Sequence, residues 1–352
     1  KGNTVETVVL LSQQKPDDHI EIEINLDEID ATSAETKATY KEIEDDSVRE
    51  LISFLQQESS MAIKSNYSVS VSEVSPQMIT QAEDILNQFS NDPLKDNSLL
   101  EQLFALLPRK MKNVADYLLP ADADPEQIQN VIDRETDLLR MMETQMQALP
   151  SNDSKEKTLL EEWNLSITPV NNEKELWQIK RHMGHSADCF SKAFRVKNSN
   201  RDNAFWNYYD KHNYHKEDIH YWYHGSRNMN CLSILHNGLI LNPKAPKVGH
   251  MFGYGIYLAP KAKKSIGYTS LNGSFWVHGT SDKAYLFVMK TVYKSPYHVY
   301  TWTSGMKSLT KSRISPHDAV FAHAGTSLRN DEVVIFDDAQ VTLQYIIELK
   351  QQ

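Results

Sequence analysis

Apolar residues recur with a helical period from about residue 46 onward. Val48, Leu51, Ile52 and Leu55 fall at i, i+3, i+4 and i+7, which places them on one face of a 3.6-residue helix. Met78, Ala82, Ile85, Leu86 and Phe89 repeat the spacing, and so do Leu99, Leu100, Leu103, Phe104 and Leu107. Ser75-Pro76 is a helix start, and Pro108 closes the third helix. Asp124-Pro125 opens a fourth, with Ile128, Val131, Ile132, Leu139 and Met142 directed inward. The pattern predicts an all-α bundle over about residues 46–150. Glu135 lies among the apolar positions of the last helix. It is expected at the edge of the stripe with its carboxylate in water.

The texture changes after Pro150-Ser-Asn-Asp-Ser-Lys155, which reads as a linker. Beyond it, Ile167–Val170, Tyr221–Tyr223, Tyr285–Met289, Glu332–Phe336 and Gln344–Glu348 read as strands. Helical spacing is confined mainly to Glu173–Phe190 and Asn228–Asn237. Strands and helices do not alternate regularly, so a doubly wound sheet is excluded in favour of an α+β domain with sheet packed on sheet. Ahead of the bundle, residues 1–45 hold 12 acidic and 4 basic residues. They read as an acidic segment or linker, with short strand-like runs at Val8–Leu11 and Ile20–Ile24.

Composition sharpens this division. The chain of 352 residues carries a net charge of −10. Residues 1–150 contain 12 Lys and Arg against 29 Asp and Glu, whereas residues 151–352 contain 25 against 18. An anionic ligand therefore belongs to the second half. Two cysteines, Cys189 and Cys231, make no disulfide framework and fit a reducing compartment. No apolar run reaches the roughly 18 residues of a membrane span. The chain opens at Lys1 with no leader pattern, as a piece of a longer protein would.

Familiar ligand motifs are weak. Gly253-Tyr-Gly255 lacks the third glycine and the strand–turn–helix setting of a dinucleotide fingerprint. His182, His185 and Cys189 share a helical spacing without a paired motif, so no metal site is expected. His212, His215 and His220 read the same way. The basic stretch Lys307–Arg313 reads as a solvated loop.

One constellation goes further. His224-Gly225-Ser226-Arg227 follows the aromatic run Tyr221-Trp222-Tyr223. Gly253-Tyr254-Gly255-Ile256-Tyr257 comes about thirty residues later, then Lys264-Ser265-Ile266-Gly267-Tyr268, and finally Glu332-Val333-Val334-Ile335-Phe336. Taken singly, Tyr257 is a core aromatic and Glu332 an edge-strand charge. In this order they resemble the catalytic domain of the poly(ADP-ribose) polymerase family over about residues 155–350. That family's His-Tyr-Glu triad would be His224, Tyr257 and Glu332. The helical stretch, through Phe104–Pro108, Tyr117–Leu119 and the 124–146 helix, is similar to the regulatory domain of the DNA-damage-dependent members.

The resemblance implies a multidomain chain: a segment at 1–45, a helical regulatory bundle at 46–150 and an α+β transferase domain at 151–352 with two packed mixed and antiparallel sheets. It implies NAD+ as co-substrate, no metal, transfer of ADP-ribose to protein acceptors including the enzyme itself, and a nuclear location. His224, Gly225, Ser226, Tyr257, Ser265 and Tyr268 would bind NAD+, with Tyr268 stacked on the nicotinamide and Gly225 and Ser265 meeting its carboxamide. Glu332 would stabilise the developing positive charge and polarise the acceptor. A triad Glu implies polymer formation, with mono-ADP-ribosylation or an inactive NAD+- or ADP-ribose-binding module as alternatives. DNA would act through domains outside this chain. Two departures stand out: Ile240 occupies a position where the DNA-dependent members place Arg, and residues 294–331 lack their Gly-x-Gly, reading Met306–Thr310 instead.

Overall fold

The computed structural model describes residues 39–92, 94–241 and 251–351. The strand-like runs expected at Val8–Leu11 and Ile20–Ile24 lie outside the described residues. The helices α1 (Asp46–Asn66), α2 (Pro76–Asn91), α3 (Asn97–Leu106) and α4 (Pro125–Gln147) form where the apolar period predicts them. Each has a polar residue closing its first turn, as free N–H groups there require. Asp45 accepts from the amides of Ser47 and Val48, and Ser75 accepts from Met78. Asp96 caps α3, and Asp124 with Gln127 forms a capping box on α4.

The apolar stripe of α1 serves two cores. Its C-terminal part, at Ile63, joins Leu86, Phe89, Leu100, Leu103, Ile132, Leu139 and Met142 inside the bundle. Its N-terminal part, Val48 to Leu55, packs instead with Leu160, Trp163, Leu232, Leu235 and Tyr285 of the following α+β region. Helical period fixes which residues share a face, and the partner of that face lies far along the chain. The linker expected at 150–155 is a 3₁₀ turn, Asn152–Glu156.

The α+β region continues with α5 (Leu159–Glu162), β1 (Leu165–Pro169), α6 (Glu173–Met183), β2 (Phe190–Asn198), α7 (Ser199–Lys211), β3 (Ile219–Gly225) and α8 (Asn228–Asn237). Then come β4 (Ile256–Leu258), α9 (Ala262–Ile266), β5 (Lys283–Val292), β6 (Pro296–Val299), β7 (Ala319–Ala322), β8 (Glu332–Ile335) and β9 (Val341–Lys350). The helix expected over Glu173–Phe190 stops at Met183, where Gly184 adopts a positive φ. Phe190 already belongs to β2. Helix α7 was not visible as a period because it buries only Phe205 and Tyr208.

One sheet is antiparallel, in the order β1-β2-β9-β5-β3; the other runs β4-β8-β7-β6, with β6 and β7 parallel. Strand β5 is apolar on both faces. Tyr285, Phe287 and Met289 enter the core shared with Ile256, Val333 and Ile335 of the second sheet. Ala284, Leu286 and Val288 pack with Ile179, Met183 and Ala262 from α6 and α9.

Glu135 corrects its expectation. Its side chain is 2% exposed and pairs with the 1%-exposed Arg109 guanidinium. Arg109 also donates to the Asn66 carbonyl and Oδ1, each at 3.0 Å, and lies over the rings of Tyr67 and Tyr117. Arg134 Nε donates to the other Glu135 oxygen at 2.8 Å. The carboxylate is buried because two guanidinium groups from outside its own apolar stripe neutralise it, at positions the period does not reveal.

Removing one partner leaves an unpaired buried charge. Glu135→Ala should therefore cost roughly 3–5 kcal/mol in urea unfolding, whereas Arg109→Met combined with Glu135→Leu should cost less than either single change. A double variant as unstable as the sum of the singles would refute this account of the pair.

Candidate active site

Strand β3 carries His224 to the mouth of a cleft. His224 Nδ1 lies 3.1 Å from the Tyr257 carbonyl, so it is the N–H donor and Nε2 keeps its lone pair. Burial lowers the His224 pKa, and the bond to Tyr257 partly opposes that. The ring is therefore a neutral imidazole near pH 7.

The next residue sets the spacing of the whole site. A Cβ built on Gly225 would stand 1.7 Å from the Ser265 carbonyl oxygen. Only glycine lets β3 and α9 approach this closely. Ser265 Oγ donates to the Tyr223 carbonyl at 3.0 Å, which leaves its lone pairs as acceptors. Ser226 Oγ accepts from Asn230 of α8 at 3.3 Å.

Tyr257 lies on β4, and its hydroxyl donates to the Gly253 carbonyl at 2.7 Å while accepting from the Phe252 amide at 3.0 Å. Burial pushes this phenol far above its ordinary pKa. Tyr268 follows α9. Its ring is 38% exposed, and its pKa is pushed up to about 12, first by burial and then by the Glu332 carboxylate.

Glu332 opens β8, which lies between β4 and β7. It is thus on an interior strand, which overturns the reading of an edge-strand charge. Its Oε1 lies 2.6 Å from Lys264 Nζ, with both side chains 11% exposed. Lys264 stood in the sequence as a flank of Lys-Ser-x-x-Tyr and was given no role. Its position one residue before Ser265 was the available signal.

All seven residues named from the sequence (His224, Gly225, Ser226, Tyr257, Ser265, Tyr268 and Glu332) line one cleft of about 600 Å³, together with Lys264. Ile240 lines it too, as do three residues the sequence did not flag: Asp133, Asp137 and Arg140 of α4. Helix α4 thus forms part of the wall. It meets α8 through a polar seam. Asn230 Nδ2 donates to Asp137 at 3.2 Å, Thr144 and Ser233 hydroxyls pair at 2.9 Å, and His236 Nε2 is 2.7 Å from Gln147 Oε1.

Three of the other histidines weighed in the sequence have structural partners. His182 bonds the Tyr223 hydroxyl at 2.7 Å, His212 caps its own helix at the Tyr208 carbonyl, and His220 meets the Tyr293 carbonyl at 3.2 Å. Among the described residues no three His, Cys, Asp or Glu side chains are gathered to hold a metal ion. No described helix is long and apolar enough to cross a membrane.

Fold and site define an α+β domain whose two sheets present a neutral His, a buried Tyr and a Lys-paired Glu to one elongated cleft. Residues 173–351 match the family described as the poly(ADP-ribose) polymerase catalytic domain, and the chain belongs to that family. It is 31% identical over 147 residues to a poly [ADP-ribose] polymerase of Drosophila melanogaster, covering 36% of this chain and 15% of that protein. Poly [ADP-ribose] polymerase 2 of Arabidopsis thaliana is 25% identical over 222 residues, covering 53% and 33%. Uncharacterized protein 101L of Invertebrate iridescent virus 6 is 30% identical over 125 residues, covering 34% and 52%. The chain thus spans between 15% and 52% of the length of these relatives.

The seam contains a titratable group. The His236 ring lies against Trp163, tilted by 32° with centroids 4.2 Å apart, and its Nδ1 is buried without a partner. Burial lowers its pKa from 6.5 to about 4. Between those values the unfolded chain holds a proton there and the folded chain does not. The contribution of His236 is complete above pH 6.5 and falls as the pH drops toward 4. The stability advantage of wild type over His236→Gln, measured by urea unfolding, should be constant above pH 6.5 and shrink below it. A difference independent of pH would remove His236 from the acid response.

Proposed function

We propose that this chain is an NAD+-dependent ADP-ribosyltransferase that modifies protein acceptors and extends the modification into polymer, restrained by its helical bundle. The observation that carries the reading is the Lys264–Glu332 pair, facing the same cleft as a neutral His224. NAD+ supplies an ADP-ribosyl group on a bond to a cationic pyridinium ring, which departs as neutral nicotinamide.

The chain's own groups suit that substrate. Gly225 lets the β3 backbone and α9 close up at the cleft edge, and Ser265 Oγ can accept from a carboxamide N–H. The Tyr268 ring offers a face for a planar heterocycle. His224 Nε2 can accept a ribose hydroxyl proton and hold the sugar in one pose. The Glu332 carboxylate opposes positive charge developing on the sugar and can take the proton of an acceptor hydroxyl or carboxyl. Lys264 Nζ, 2.6 Å from Glu332 Oε1, holds that carboxylate in place beside the cleft.

A second reading, transfer of a single ADP-ribose, is supported by residues 294–331. This acceptor-side stretch has a short 3₁₀ turn at Ser304–Ser308 in place of the family's Gly-x-Gly. Labelled NAD+ and a sizing gel separate the readings: a ladder marks polymer and a single adduct marks mono-transfer. A folded wild type that transfers nothing marks a binding module. With wild type active, Glu332→Gln should keep NAD+ binding and lose rate by roughly a hundred- to a thousandfold. Equal product from the two proteins would exclude Glu332 from the chemistry.

Restraint by the bundle is supported by α4. Asp133 and Asp137, with Arg140 beside them, line the cleft where a dianionic diphosphate must also fit. Deleting the bundle is a poor test, because Val48 to Leu55 of α1 cover apolar surface of the α+β region. Asp133→Asn with Asp137→Asn leaves that packing intact. It should tighten NAD+ binding about three- to tenfold by calorimetry while leaving benzamide affinity unchanged. Unchanged NAD+ affinity would make the bundle a docking platform and not a restraint.

A further inference from the structure

Trp276 is an exposed indole with an unusual setting. It lies in the stretch Asn272–Ser281, tied closed by backbone bonds from Asn272 to Ser281 and from Gly273 to Gly279, and by Ser274 Oγ accepting from the Gly279 amide. This framework holds two adjacent aromatic rings at the surface, Phe275 at 58% and Trp276 at 54% exposure. Burial alone does not hold rings so exposed in place.

Specific contacts do. The Trp276 amide donates to the Gly267 carbonyl at 2.9 Å. Its indole lies nearly parallel to Tyr268, at 18° with centroids 5.7 Å apart. Phe275 meets Trp276 edge-on at 87°, with centroids 4.6 Å apart, and the Arg329 guanidinium covers Phe275 at 5.7 Å. A Cβ on Gly267 would stand 3.0 Å from Trp276 Cδ1, so the missing side chain is what lets the indole lie against the end of α9. Tyr268 lines the cleft and Trp276 does not. The indole therefore backs the tyrosine ring from outside.

We propose that Trp276 is a positioning residue of the nicotinamide site. It stacks behind Tyr268 and holds that ring in the plane that a flat heterocyclic amide meets, with Phe275 and Arg329 bracing it. The inference rests on the NAD+ reading of the cleft. It adds that the wall has two layers, and that the outer layer governs how strongly the inner one binds. A half-exposed tyrosine with no backing would spend part of its time in other rotamers. Each ligand would then have to select the competent one. The ordering cost falls on ground-state binding, so it appears in KM and not in kcat.

The experiment uses the full chain and benzamide as probe. Calorimetry is run on wild type, Trp276→Ala, Trp276→Phe and Gly267→Ala, and each is melted without ligand. Gly267 has an ordinary helical φ of −59°, so alanine suits its backbone, and its Cβ presses first on the indole at 3.0 Å and then on the Lys264 carbonyl at 3.2 Å. Trp276→Ala should weaken benzamide about three- to tenfold, and Trp276→Phe should restore most of the loss. Gly267→Ala should weaken benzamide with the indole still present. KM for NAD+ should rise in step while kcat holds.

Equal benzamide affinity in wild type and Trp276→Ala would overturn the proposal. So would a Trp276→Phe protein as weak as Trp276→Ala, or lower melting temperatures with no change in affinity, which mark a purely structural loop. Wild type that fails to bind benzamide at all would instead sink the NAD+ reading, and the inference with it.

Discussion

Between the end of β3 and the first turn of α9 there is no space for a single carbon atom. Gly225 and the Ser265 carbonyl share that contact, and the rest of the site is measured from it. His224 stands one residue before it, Lys264 one residue before its partner and Tyr268 three residues after. Backbone bonds between Tyr223 and Ala259 bring β4 alongside, and β4 pairs with β8. Glu332 thus reaches the cleft through a chain of main-chain contacts.

Two buried ion pairs show what burial of charge accomplishes here. Arg109 and Glu135 are sealed inside the helical bundle, with further donors and aromatic faces satisfying what remains of each group. Lys264 and Glu332 are nearly as buried but face a cleft. Desolvation makes both pairs costly unless matched. In the bundle the match fixes one helix against a distant loop. In the cleft it orients a carboxylate next to open volume.

The helices α1 to α4 were legible because a 3.6-residue apolar period is a local property of sequence, and so were the starts of α2 and α4 at Ser75-Pro76 and Asp124-Pro125. What the period could not give was the surface each face meets. The stripe Val48 to Leu55 looked like bundle core and is docked on the neighbouring region. Glu135 looked solvated because Arg109 lies 26 residues away. The seven site residues were legible because short motifs keep backbone demands such as Gly225 next to the groups they position. Asp133, Asp137 and Arg140 were not, since they border the cleft only by virtue of how α4 lies on α8. Trp276 sits outside every motif, and its role depends on a ring stack between residues eight apart.

Because α4 supplies part of the cleft wall and meets α8 through a seam of hydrogen bonds, the cleft is not built the same way along its length. The portion around Gly225, Ser265 and Tyr268 is built on sheet and α9. The portion bordered by Asp137 and Arg140 is shaped by a helix held to α8 through side-chain hydrogen bonds, one of them the buried Thr144–Ser233 pair. The two ends of the cleft therefore differ in what builds them: main chain of sheet and α9 at one end, side chains of a bundle helix at the other.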